Sequence, residues 1–106
     1  MHWNQLTEES QFRNEILKEG NHLLLKHSER CSISLMALKR LERSDLSIRF
    51  EGVFWVLDVL KFKSLSTQIA QDFGIHHESP QVIIISNKKV IHFASHGSID
   101  PDQINL

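Results

Sequence analysis

The chain has 106 residues, 12 Lys and Arg against 13 Asp and Glu, a formal net charge of −1 and a single cysteine. That length suits one domain over residues 1–106, which buries roughly two-thirds of its unfolded surface without disulfide or metal staples. The near-neutral balance lacks the basic field that sequence-independent phosphate binding requires, so nucleic acid is not an expected partner, and one cysteine excludes an intramolecular disulfide.

Met1 to Ser10 is polar and becomes acidic, with neither the charged nor the apolar region of a secretory signal. The longest strongly apolar stretch, Val53 to Leu60, is broken by Asp58 and is far too short to span a bilayer. No membrane association is expected, and the expected location is cytoplasmic, where reducing conditions leave a lone thiol free.

Thr7 as N-cap, Glu8 and Glu9 in a first turn, and Phe12 with Ile16 at i, i+4 spacing predict a helix from about Glu8 to Glu19, stopped by Gly20-Asn21. His22 to Lys26, dominated by leucine and bounded by polar segments, predicts a short buried strand. A polar loop then leads to Cys31, after which Ile33, Ala37, Leu38 and Leu41 recur at helical spacing until Ser44-Asp45. Val53 to Leu57 is apolar at both parities, as a central parallel strand covered on both faces would be.

Leu65, Ile69 and Phe73 define a third helix, with Ser64 or Ser66 as its cap and Gly74 at its end. Gln81 to Ser86 and Lys89 to Ala94 flank Asn87-Lys88 and predict an antiparallel hairpin. One short helix is expected between Ser98 and Leu106. Helix and strand in alternation, closed by a hairpin, imply an α/β fold with a mixed central sheet flanked by helices.

The chemistry centres on Cys31. A thiol at a helix N-terminus meets unpaired backbone N–H groups and the positive end of the helix dipole, which favour the thiolate. Lys26, Arg30 and a protonated His27 are expected to add positive charge. Without a second cysteine, thiol chemistry must pass through a mixed disulfide with another molecule. The competing reading is a buried, inert thiol. His27, His76, His77 and His96 raise a metal reading, but no tight ligand pair lies on a suitable element, and no metal site is expected.

Lys26-His27-Ser28 with Cys31, Ile33 and Ser34, Asp58 at a strand end, Asp72-Phe73-Gly74-Ile75, His77-Glu78-Ser79-Pro80-Gln81-Val82 and Ala94-Ser95-His96 occur in this order. Together they resemble the YtxJ family of monothiol bacilliredoxins, within the thioredoxin-like superfamily, over essentially the whole chain. The resemblance implies a thiol–disulfide oxidoreductase that removes bacillithiol from S-thiolated client proteins, with Cys31 as nucleophile, bacillithiol as co-substrate and no bound cofactor. Ser34 stands where a dithiol enzyme has its resolving cysteine; its hydroxyl can donate to the thiolate but cannot attack a mixed disulfide.

The resemblance also implies that Pro80 is cis and faces the cysteine, so that Ser79 and Pro80 dock an extended substrate. The thioredoxin-like fold brings His27 and His77 near the thiol, while Lys26, Arg30 and Gln81 are candidates for gripping the small thiol by proximity and charge. Three departures stand out. Leu25 occupies the position of the buried Asp relay of dithiol thioredoxins, the C-G-F-S motif of cluster-binding glutaredoxins is missing, and Ser32 replaces the proline that follows the cysteine in many relatives. The alternatives are a non-catalytic binding module and a redox sensor that is itself thiolated at Cys31.

Overall fold

The computed structural model describes residues 1–104. β1 (Trp3–Gln5), β2 (Asn21–His27), β3 (Val53–Asp58), β4 (Gln81–Ser86) and β5 (Lys89–Ser95) form one sheet in the order β1-β3-β2-β4-β5. The pairs β1–β3 and β3–β2 are parallel, and β2–β4 and β4–β5 antiparallel. The expected mixed sheet is therefore present, with one correction. β3 is parallel and interior, but β2 holds the centre, hydrogen-bonded on one side to each kind of neighbour.

Alternation along β2 divides the core. Leu24 points to one face, with Leu57, Ile69, Ile83 and Ile85, against the first and last long helical segments; Leu23 and Leu25 point to the other, with Ala37, Leu41, Val82 and Ile84. Each fully buried aliphatic side chain contributes about 1.5–3 kcal/mol of transfer free energy. Near the start of β2, burial lowers the His22 pKa, and its Nδ1 accepts from Trp55 Nε1 at 3.0 Å.

The helices depart from expectation at their ends. α1 (Glu9–Gln11) runs directly into a π-helical turn, Phe12–Ile16, so the regular helix stops before Glu19. Glu8, not Thr7, is its N-cap, and Gln11 Oε1 reaches back to the Thr7 amide at 2.8 Å and the Glu8 amide at 3.1 Å. α2 (Ser32–Arg43) forms as expected and buries Ala37 and Leu41, but in its first turn Ser34 is buried and Ile33, expected on the apolar face, is exposed; a short α3 (Leu46–Arg49), which buries Leu46, follows. α4 (Lys63–Phe73) is capped by Phe62, ahead of the serines expected there, and ends at Gly74 with φ +64°.

The hairpin turn forms at Asn87 and Lys88, with φ +48° and +75°, and Gly20 accepts from the Asn87 amide at 2.9 Å. After β5 come two 3₁₀ turns, His96–Ser98 and Pro101–Gln103, in place of one helix. The last two positions of that expected helix, 105 and 106, lie outside the described residues. Among the described residues no helix is long and apolar enough to cross a membrane.

Candidate active site

The C-terminal ends of β2 and β3 and the start of β4 converge on one edge of the sheet, where α/β proteins place their ligand sites. β2 ends at His27, and Ser28–Arg30 turn the chain so that Cys31 becomes the N-cap of α2 in extended conformation, φ −109° and ψ 118°. Its carbonyl accepts from the Leu35 amide at 3.0 Å and so closes the first helical turn. The Cys31 residue is half-buried, and no side-chain hydrogen bond caps the helix. Cys31 thus stands at the N-cap position, at the positive end of the α2 dipole, which favours a sulfur anion.

Ser34 is fully buried, and its hydroxyl is used inside the loop, not on the thiol. Ser34 Oγ accepts from the Ser28 amide at 3.0 Å and lies 2.6 Å from His27 Nδ1. Burial lowers the His27 pKa, which leaves a neutral ring whose Nδ1 lone pair accepts the Ser34 proton while Ser34 Oγ accepts from the Ser28 amide. This corrects two expectations. His27 is a neutral strut and not a cation beside the thiol, and Ser34 fixes the loop geometry instead of donating to sulfur.

Lys26 requires a third correction. Neighbouring strand residues face opposite ways, so Lys26 enters the α4 side of the sheet, fully buried. Its Nζ donates to the Ser66 carbonyl at 3.0 Å and lies 3.2 Å from His77 Nδ1. It cannot grip a ligand at the surface, and it holds the inner edge of His77. Arg30 is the one of the three expected cations that is exposed beside Cys31.

The Ser79–Pro80 peptide bond is cis. Among the described residues the Ser79 amide and carbonyl pair with no other backbone group, and Ser79 Oγ is buried without a partner. The Pro80 carbonyl is taken by the His96 amide at 2.9 Å. Gln81 is buried, its Nε2 donating to the His76 carbonyl at 3.1 Å and to Ser95 Oγ at 3.2 Å. It braces the loop below His76 and is not available as a surface grip.

A cavity of about 510 Å³ opens between the cysteine loop and the turn after β3, lined by Glu29, Arg30, Asp58, Leu60, Lys61 and Lys63. Asp58 Oδ1 shapes that turn by accepting from the amides of Leu60 at 3.0 Å and Lys61 at 3.2 Å. A second cavity, about 380 Å³, shares Glu29, Asp58 and Lys61 and extends to Trp3, His27 and Leu38. Among the described residues the ion pairs are Arg13 with Glu9 and Asp72, and Arg49 with Asp45. Among those residues Arg30, Lys61 and Lys63 of the larger cavity have no ion-pair partner. Lys61, Lys63, Leu60 and Glu29 were not singled out from sequence; the available signal was a basic pair just past the end of a parallel strand, next to Asp58.

Among the described residues no group of three or more His, Cys, Asp or Glu could hold a metal ion. The structure is similar to a protein described as having a thioredoxin fold, with a TM-score of 0.84 and 28% identity over 94% of this chain and 88% of that one. Reduced Schistosoma mansoni thioredoxin pre-protein shares the fold at a TM-score of 0.65 and 18% identity, over 93% of this chain and 90% of that one. Malassezia sympodialis thioredoxin does so at 0.71 and 19%, over 97% and 84%. The family model for monothiol bacilliredoxin BrxC matches residues 4–104. A half-buried thiol at a helix N-cap, a thioredoxin fold and a family match across nearly the whole chain converge: this chain belongs to the monothiol bacilliredoxin family and is a thiol–disulfide oxidoreductase.

Proposed function

We propose that this protein removes bacillithiol from S-bacillithiolated cytoplasmic proteins by a one-cysteine exchange at Cys31. The Cys31 thiolate attacks the small-thiol sulfur of the client mixed disulfide; the client sulfur leaves as a thiolate, and Cys31 becomes joined to bacillithiol. A second small-thiol thiolate then attacks that bacillithiol sulfur, forming a small-thiol disulfide and returning Cys31 to its starting state. The observation that carries this reading is Cys31 as an uncapped N-cap in a chain with no second cysteine.

Client docking along Ser79 and Pro80 is supported by the unpaired Ser79 backbone, which offers a donor and an acceptor to an extended segment. For the small thiol, the cavity beside Arg30 is the best-suited location. Arg30, Lys61 and Lys63 can receive carboxylates, and Glu29 can receive an ammonium group. His27 and Ser34 support this site from behind by holding the cysteine loop, and Lys26, His77 and Gln81 hold the docking segment.

The test is the rate at which thiol appears on a bacillithiolated client, compared with the same client carrying glutathione or coenzyme A. Cys31→Ser should release no client thiol, and the bacillithiol adduct should be processed fastest. Full activity in Cys31→Ser would end the mechanism, and equal rates on all three adducts would remove bacillithiol as the particular co-substrate.

A further inference from the structure

Exchange at Cys31 makes no direct use of the buried cation at Lys26. Lys26 is paired with Leu57 on β3 and Gln81 on β4, in the interior of the sheet. Among the described residues its Nζ finds only neutral partners, the Ser66 carbonyl and His77 Nδ1, and Ser66 Oγ lies 3.1 Å from that same ring nitrogen. Burial lowers its pKa to about 8. An ammonium group buried without a counter-ion is a net liability that an apolar side chain of similar volume would avoid. Its place in the fold therefore points to a role beyond packing.

His77 links this cation to the surface. Its inner nitrogen rests on Lys26, while the residue is exposed and lines a cavity of about 300 Å³ with Leu60, Lys63, Ser66 and Thr67. It lies in the short segment that leads into Ser79 and Pro80. That segment is tied to the sheet by side chains from two adjacent strands, Gln81 Nε2 on the His76 carbonyl and Lys26 Nζ on the His77 ring.

We propose that Lys26 and His77 form a one-proton clamp that positions the His76–Pro80 segment for client docking and releases it when a second proton is added. This rests on the reading of Ser79 and Pro80 as the docking strand. With one proton between them, the Lys26 ammonium donates to the Nδ1 lone pair and the imidazole carries its own proton on Nε2. With two, a pair of cations faces each other across the 3.2 Å contact. His76 in the same segment and Lys63 across the cavity add to the positive side, and Glu78 opposes them. Desolvation, Lys26 and His76 hold the His77 pKa below its ordinary value, so release belongs to acid conditions. Both residues are positioning residues.

The test follows wild type, Lys26→Met and His77→Gln from about pH 7.5 to about pH 5.5, a range spanning the ordinary histidine titration. The readouts are His77 ring nitrogen shifts, amide exchange of residues 76–79, corrected for intrinsic exchange, and KM against kcat on a thiolated client. Wild type should show the Nε2–H tautomer at neutral pH. Its protection factors should fall and KM should rise on acidification, each by about fivefold or more, with a smaller change in kcat. Both variants should lose this pH dependence; His77→Gln, at an exposed position, carries the test if Lys26→Met fails to fold.

Wild-type pH dependence of exchange in either variant overturns the clamp. Clamp-dependent exchange with a flat KM overturns its role in docking and points to a different client surface. Failure of Cys31 chemistry would instead appear as absent turnover with the exchange behaviour intact.

Discussion

Lys26 and His27 are adjacent in sequence, yet the pleat of β2 sends them into two differently built halves of the site. On the α2 side, His27 Nδ1, Ser34 Oγ and the Ser28 amide form a neutral hydrogen-bonded chain that fixes the loop presenting Cys31. On the α4 side, Lys26 holds His77 with a charge that has no counter-ion, and nearby Ser79 Oγ and Gln81 Oε1 are buried without partners. The difference separates two tasks. The nucleophile sits on a support of neutral hydrogen-bonded groups, and the docking segment sits on one that holds a buried charge.

The largest expected effect sharpens the chemical side. Cys31→Ala should lower de-thiolating activity by on the order of a thousandfold or more while changing stability by no more than about 0.5 kcal/mol, because the residue is only half-buried. Kinetics and denaturant melts together check this; a variant that lost both activity and fold would mean that the thiol serves packing.

On the α4 side, two substitutions of Lys26 should diverge. Lys26→Ala leaves a cavity beneath His77 and should cost about 2–5 kcal/mol. Lys26→Met fills the volume without the charge and should be neutral or stabilising, by up to about 4 kcal/mol. Equal destabilisation in denaturant melts would show that the ammonium itself holds the fold. On the α2 side, Ser34→Ala strands the Ser28 amide and should cost about 1–3 kcal/mol. Since the Ser34 proton is engaged by His27, the alkylation rate of Cys31 should change far less than it would if that hydroxyl were bonded to sulfur.

The pH dependence of stability tests both sides of the site together. His22, His27 and His77 have lowered folded-state pKa values, so below the ordinary histidine pKa of 6.5 the unfolded chain takes up protons first. Stability should be fully present above that value and decline as pH falls from it towards the folded values. Lys26 acts in the same direction at higher pH, with stability rising between about 8 and 10.5. Denaturant melts across both windows check the sign. An alkaline limb that rises in Lys26→Met as it does in wild type would show that Lys26 is not the titrating group.

Much of this was legible in the sequence because strong periodicity, turn residues and spacing agreed. The leucine run of β2, the amphipathic pattern of α2, Gly74 and the Asn87-Lys88 turn each named an element, and Cys31 was placed at a helix start. β1 escaped because its three residues, two of them polar, become a strand only by pairing with β3, Trp3 opposite Phe54. α3 escaped because a single turn has no period to detect.

At the site, charge in the sequence does not mean exposure in the fold. A central strand has no solvent face, so Lys26 had to share a side with Leu24, and His27 with Leu25. The motif located these residues at the site, but only the pairing of β2 between β3 and β4 shows that they brace it from within. Lys61 and Lys63 lay outside any helical or strand pattern, and their cavity exists only once the turn at Asp58 brings them beside Arg30.

The most direct measurement is the intact mass of the protein after incubation with a bacillithiol-linked client disulfide, for wild type and Cys31→Ala in parallel. Wild type should gain the mass of one bacillithiol, lose it on addition of excess free thiol, and release client thiol in step, while Cys31→Ala stays unmodified. Client release without an adduct on wild type, or an adduct on Cys31→Ala, would contradict monothiol exchange at Cys31.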